Sequence, residues 1–249
     1  MAQKPVGLNE VPQTLMGRVS KRARKTGMEV DIDLDDLNEI YDSQKLPGES
    51  FARCIYSGYP LVFQSSRDYN ASVDRVDSGI GYVKGNVQLV HKRVNISKHT
   101  LSDTQFRFLI HQCTVPVIAP EVDLDFEERR SNFRGAGPFS GERLGKIRNS
   151  AKRRNKEFNI TSGYLYDIFK RQSGNCALSG LGLFPESVSV DRVDNSKGYV
   201  EGNVQLVTKE MNFMRGPLTL DEFRSFLDDM FEWNYIVLPN LKKRNEVSI

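Results

Sequence analysis

The sequence predicts an α+β protein built as a tandem duplication, each copy a basic helix followed by a strand, loop, strand, helix core. Three observations predict it. The stretch SVDRVDSGIGYVKGNVQLVHKRVN at 72–95 reappears as SVDRVDNSKGYVEGNVQLVTKEMN at 189–212. Ahead of each, Leu15, Val19 and Ala23, or Leu144, Ile147 and Ala151, recur at helical spacing with Arg and Lys on the opposite face. Within each, β-branched NVQLV follows a glycine-containing turn, the pattern of a second strand.

Taken in chain order, laying Ala23 on Ala151 also lays Ile32 on Ile160, Leu37 on Leu165, Ile40 on Ile168 and Gln44 on Gln172. After the basic helix comes a short extended piece, Val30 to Ile32 or Phe158 to Ile160. Asp33 or Thr161 then N-caps a second helix. CIYSG and CALSG precede the cores, with Cys54 and Cys176 expected as small buried residues. In the cores, Val73 and Val76 (Val190 and Val193) flank the charged pair of the first strand. Gly81, Gly85, Gly198 and Gly202 are expected for their backbone dihedrals, and Tyr82 and Tyr199 as packing aromatics. Asn95 and Asn212 fall early in the following helix. A last helix opens on a capping box, Ser102 with Gln105 or Thr219 with Glu222. The expected organisation is repeat 1 at 1–113, a linker at 114–140, repeat 2 at 141–230 and a tail at 231–249 with an apolar strand around Trp233.

The 249 residues suffice for two small domains, and 39% hydrophobic with 27% charged residues is globular composition. A net charge of +3 says little, but the charge is unevenly spread: RVSKRARK, RLGKIRNSAKRRNK and KKR are basic, DIDLDD and DLDFEERR mainly acidic. Three cysteines without a C-x-x-C pair argue against a disulfide framework and a structural zinc. No apolar run reaches the ~20 residues of a membrane span, and the N-terminus lacks a secretory core. The expectation is an intracellular protein.

An aspartate at a strand end and an asparagine on the next helix, Asp74 with Asn95 and Asp191 with Asn212, offer hard oxygen ligands to Mg²⁺ or Mn²⁺ when a phosphate supplies the rest. Arg75 and Arg192 are suited to grip that phosphate, or else to form a salt bridge or turn cap. Asn86 and Asn203 are expected to hold the loop through backbone hydrogen bonds.

VDRVD, GYVKGNVQLV or GYVEGNVQLV, and the helical asparagine, preceded by CIYSG or CALSG, resemble the HNH nucleases and their ββα-metal fold, especially those of bacteriophages. The resemblance covers both units and implies a divalent-metal-dependent DNA endonuclease, cytoplasmic in a bacterial host. It makes Asp74, Asn95, Asp191 and Asn212 metal ligands, and Asn86 and Asn203 orienting residues. The pattern departs from the family at the base, since Arg75 and Arg192 stand where many members have histidine and arginine stays protonated. Asp77 and Asp194, two residues on, a metal-bound water that ionises with little help, or one of the histidines His91, His99 and His111, all in or just after the first copy, are the alternatives. Expected DNA contacts are Arg18, Lys21, Arg22, Arg24 and Lys25 in the first copy, and Arg143, Lys146, Arg148, Lys152, Arg153 and Arg154 in the second. Two units in one chain then mimic a dimer. Two other readings stand beside this one: a non-cleaving DNA-binding module on the same fold, and a phage regulator that acts on a protein.

Overall fold

The structure, a computed structural model, describes residues 10–63, 70–114 and 139–241. The expectations for DLDFEERR and for most of the linker, and for the terminal KKR, lie outside them. The chain is mixed α and β and divides into two compact units, Met1–Phe108 with Asp228–Ile249, and Leu109–Leu227. Among the described residues no helix is long and apolar enough to cross a membrane.

In the first unit α1 (Gln13–Thr26) buries Leu15, Val19 and Ala23, and closes at Gly27, whose left-handed φ of 68° suits a residue without a side chain. Arg24 and Lys25 sit in its last turn, at the negative end of the helix dipole. The short β1 (Val30–Asp31) pairs in parallel with a segment of the later loop, Tyr82–Val83. The helix α2 (Leu34–Ser43) starts from a reciprocal box between Asp33 and Asp36, and buries Leu37 and Tyr41. A small antiparallel pair, β2 (Ala52–Arg53) and β3 (Pro60–Leu61), brackets the CIYSG turn.

The core of the unit is the hairpin of β4 (Ala71–Arg75) and β6 (Val87–His91), with β5 (Tyr82–Val83) in its connecting loop. Register runs from Ala71 opposite His91 to Arg75 opposite Val87. The helices α3 (Lys92–Lys98) and α4 (Asp103–Thr114) follow, with Gln105 and Ser102 exchanging the two bonds of a capping box.

The second unit repeats this order with α5 (Gly141–Arg153), α6 (Ser162–Arg171), β7 (Val188–Arg192), β8 (Val204–Thr208), α7 (Lys209–Arg215) and α8 (Leu220–Phe231). Thr161 caps α6, and the hairpin register runs from Val188 opposite Thr208 to Arg192 opposite Val204. A single bridge, Phe158 to Tyr199, replaces the β1–β5 pair.

One feature ties α2 and α6 to the hairpins in the same way. The amide of Gln44 donates to the Leu89 carbonyl at 2.8 Å and accepts from the Leu89 N–H at 2.9 Å, so it acts as one more rung on the free edge of β6. Gln172 makes the same two bonds to Leu206, at 2.8 and 3.0 Å. A buried strand edge is satisfied without a third strand.

Two expectations are corrected here. Gly85 and Gly202 do have positive φ, 78° and 81°, but Gly81 and Gly198 do not. Their reason is close approach: a Cβ would lie 2.6 Å from the Glu29 carbonyl oxygen at Gly81 and 2.3 Å from that of Glu157 at Gly198. The tail is helical rather than extended. It runs on from α8 through a π-helical turn at Glu232–Val237, because Phe226, Met230, Trp233 and Asn234 bury at helical spacing.

That tail packs in the first unit. Trp233 Nε1 donates to the Ile55 carbonyl at 3.2 Å, Asn234 donates to the carbonyl of Tyr56, and the indole covers Gly58, where a Cβ would fall 2.3 Å from the ring. Gly58 also holds φ at 65°. Gly58→Ala is therefore expected to lower stability by roughly 2–4 kcal/mol, from overpacking and backbone strain together. Trp233 is the only tryptophan, so its emission is expected to shift to the red as the tail lifts; an unshifted spectrum and urea midpoint contradict this docking.

Candidate functional site

The aspartates that end the first strands are buried, Asp74 at 3% and Asp191 at 5% exposure. Each faces its cross-strand neighbour: Gln88 donates to Asp74 Oδ2 and Gln205 to Asp191 Oδ2, both at 2.9 Å. A further partner is a cation from the next helix. Lys98, with no exposed surface, donates to Asp74 Oδ1 at 3.1 Å and to the Arg75 carbonyl at 2.7 Å. Arg215, equally buried, donates to Asp191 Oδ2 and the Arg192 carbonyl at 2.6 Å, and to the Val193 carbonyl at 2.9 Å. Burial pushes the Asp74 carboxyl above its ordinary value, against the downward pulls of Gln88 and Lys98. Gln88 extends the network by donating to the buried Tyr56 hydroxyl at 2.7 Å.

The helical asparagines face the same strands. Asn95 donates to Ser72 Oγ at 2.6 Å and to the Val73 carbonyl at 3.1 Å, and Asn212 to Ser189 Oγ at 2.8 Å. Among the described residues no three His, Cys, Asp or Glu side chains gather as a metal cluster.

Arg75 and Arg192 bend back onto their own loops. Arg75 donates to the Ile80 carbonyl at 2.9 Å and lies over Tyr82, 5.1 Å from the ring centre. Arg192 donates to the carbonyls of Asn195 and Lys197, both at 2.9 Å, and lies over Tyr199 at 5.3 Å. Asn86 and Asn203 hold the same loops from inside. Each accepts from the backbone of Asp77 or Asp194 at 2.9 Å and returns its amide to two carbonyls, Asp77 and Gly81 or Asp194 and Gly198.

The candidate bases are engaged as well. Asp77 Oδ1 accepts from the Gly79 N–H at 2.8 Å. Asp194 accepts from the Ser196 hydroxyl and N–H, which lower its pKa and make it a weaker base. His91 stands three residues from Gln88, about 10 Å along the strand. Its Nδ1 accepts from the Arg93 N–H at 3.3 Å as the N-cap of α3, the place Thr208 takes in the second unit. Burial, then the Arg93 and Lys92 charges, push its pKa below the ordinary 6.5.

On α1 the side chains of Arg18, Lys21, Arg22, Arg24 and Lys25 are all exposed. On α5, Lys146, Arg148, Lys152 and Arg153 are exposed, while Arg143 is half-buried and donates to the carbonyls of Pro185 and Val188. Arg154, past the helix end, donates to the Tyr199 hydroxyl at 3.0 Å. Sequence reasoning missed Lys98 and Arg215. The signal was a basic residue three places after the asparagine in both copies, lysine once and arginine once.

No family model matches the chain, and no solved structure matches it significantly. A curated protein of Enterobacteria phage T4, "Uncharacterized 29.0 kDa protein in dda-modA intergenic region", is 39% identical over 84 residues. The match spans 32% of this chain and 33% of the phage protein.

Removing one member of a buried ion pair leaves the other unpaired. Lys98→Met is therefore expected to cost roughly 3–5 kcal/mol, and the Asp74→Leu, Lys98→Met pair distinctly less, in urea denaturation of the two variants and the wild type. Equal losses contradict the pairing. For His91, a lowered folded pKa contributes stability that is present above pH 6.5 and lost as pH falls through the folded value. His91→Thr, which keeps the cap, is expected to flatten that acid limb by on the order of 1 kcal/mol, the worth of one cap; an unchanged limb in urea midpoints measured across this range refutes the assignment.

Proposed function

We propose that this protein binds DNA through its basic helices without cleaving it, using two HNH-like ββα cores in which an internal cation stands where a nuclease holds its metal. The observation that carries the reading is the pair of buried contacts, Lys98 with Asp74 and Arg215 with Asp191. A divalent ion beside such a carboxylate meets a fixed positive charge. At ~4 Å and an effective dielectric of ~20, that repulsion is about 8 kcal/mol, twice the value for two unit charges. The donor set as arranged does not fit a divalent cation.

Other features agree. The arginines that a nuclease would point at the scissile phosphate hold loop carbonyls instead, and His91 spends its acceptor nitrogen on a helix cap. The basic residues of α1 and four of those on α5 remain exposed, which gives each unit a cationic helix for phosphates. The similarity to a T4 protein accords with a phage protein.

Full-length protein is expected to shift duplex DNA equally in Mg²⁺, Mn²⁺ and EDTA, and to leave supercoiled plasmid intact in all three. With ~six phosphate contacts, affinity is expected to drop about 10³-fold between about 50 and 200 mM salt. Nicking that needs metal and disappears in the Asp74→Ala, Asp191→Ala double variant overturns the non-cleaving reading. Failure to bind DNA in low salt overturns the DNA-binding reading.

A further inference from the structure

Between α1 and the β4–α3 corner of the first unit lies a cavity of about 430 Å³. Its floor is apolar: Leu15, Val19, Ala71, Val73 and Tyr82, all buried. Its rim is basic, with Arg18 and Arg22 from α1 and Lys92 from α3. Ser72 and Asn95 also line it; the Asn95 amide donates to Ser72 Oγ and the Val73 carbonyl, which leaves the serine O–H and the asparagine Oδ1 as groups of the kind that pair with a base edge. Ile96, 67% accessible, also lines the cavity.

An apolar slot with one polar edge and cations at its mouth is complementary to a base with its own phosphate. The volume lies within the range of small-ligand sites. We infer that this cleft takes a single unpaired nucleotide of the bound DNA, its base against Val73 and Tyr82 and its phosphate at Arg18, Arg22 and Lys92. The inference rests on the DNA-binding reading above and deepens it.

The second unit differs at the matching place. When Ala23 is laid on Ala151, the residue on Leu15 is Arg143, whose guanidinium lies against the Val188 carbonyl, and Val188 itself replaces the smaller Ala71. Arg22 falls on Ser150. Arg18 and Lys92 keep cationic counterparts in Lys146 and Lys209, so the slot for a base, rather than the charge at its mouth, distinguishes the first unit, and one nucleotide per chain is expected.

The test compares two duplexes, one fully paired and one with a single extrahelical 2-aminopurine, each bound to full-length protein at fixed salt. The bulged duplex is expected to bind at least about tenfold tighter, the scale of one base stacked on an aromatic wall. Its fluorophore is expected to be shielded from acrylamide. Ala71→Phe, which fills the floor, and Arg22→Glu, on an exposed helix face that tolerates the change, are expected to abolish both the preference and the shielding. Lys152→Glu, on α5, is expected to weaken both duplexes alike. Equal affinities with an unshielded fluorophore overturn the cleft inference and leave the DNA reading in place. Binding to neither duplex overturns the DNA reading and this inference with it.

Discussion

The buried contact between a strand-end aspartate and a cation one helical turn beyond the asparagine organises each half of this protein. In the first unit Lys98 ties α3 to β4 at the point where the strand opens into its loop, and it also takes the Arg75 carbonyl. In the second, Arg215 does the same work with Asp191, Arg192 and Val193. The strand ends are thus closed by charge-assisted bonds, stronger than neutral ones and short enough to fix helix position. From there Arg75 and Arg192 reach outward to clamp the loop while Asn86 and Asn203 hold it from within.

The carboxylate, the adjacent arginine and the two amides all have polar partners inside their own unit, and together they hold the hairpin, its loop and the following helix in place. Exposed charge is carried instead by α1 and α5, helices sewn to the hairpin loops by the β1–β5 pair and by the Phe158–Tyr199 bridge. Duplication then yields two basic helices, and in the first unit the small Ala71 and the apolar Leu15 line the cavity beside α1.

Much of the fold was legible in the sequence because local signals agreed with tertiary need. Asp33, Thr161, Ser102 and Thr219 cap where their side chains said they would, and the apolar stripe of α1 is buried, as are Leu144 and Ala151 of α5, with Ile147 half-buried. Gln44 aligned with Gln172, but its role as an extra rung on a strand edge is a long-range contact that no local pattern encodes. Lys98 and Arg215 were hidden for a related reason: a basic residue on a seven-residue helix reads as solvated until its partner across 24 residues is known. The tail is helical although its short apolar run resembles a strand, because burial at 226, 230, 233 and 234 follows the helix period.

On the proposed reading, Lys98 and Arg215 stand where an HNH-type nuclease would hold its metal. Titration of full-length protein with Mn²⁺, followed by the electron paramagnetic resonance of the free ion, tests it most directly. No stoichiometric uptake is expected in the absence of DNA. One or two ions bound per chain, lost when Asp74 and Asp191 are replaced by alanine, would contradict it and return both sites to metal chemistry.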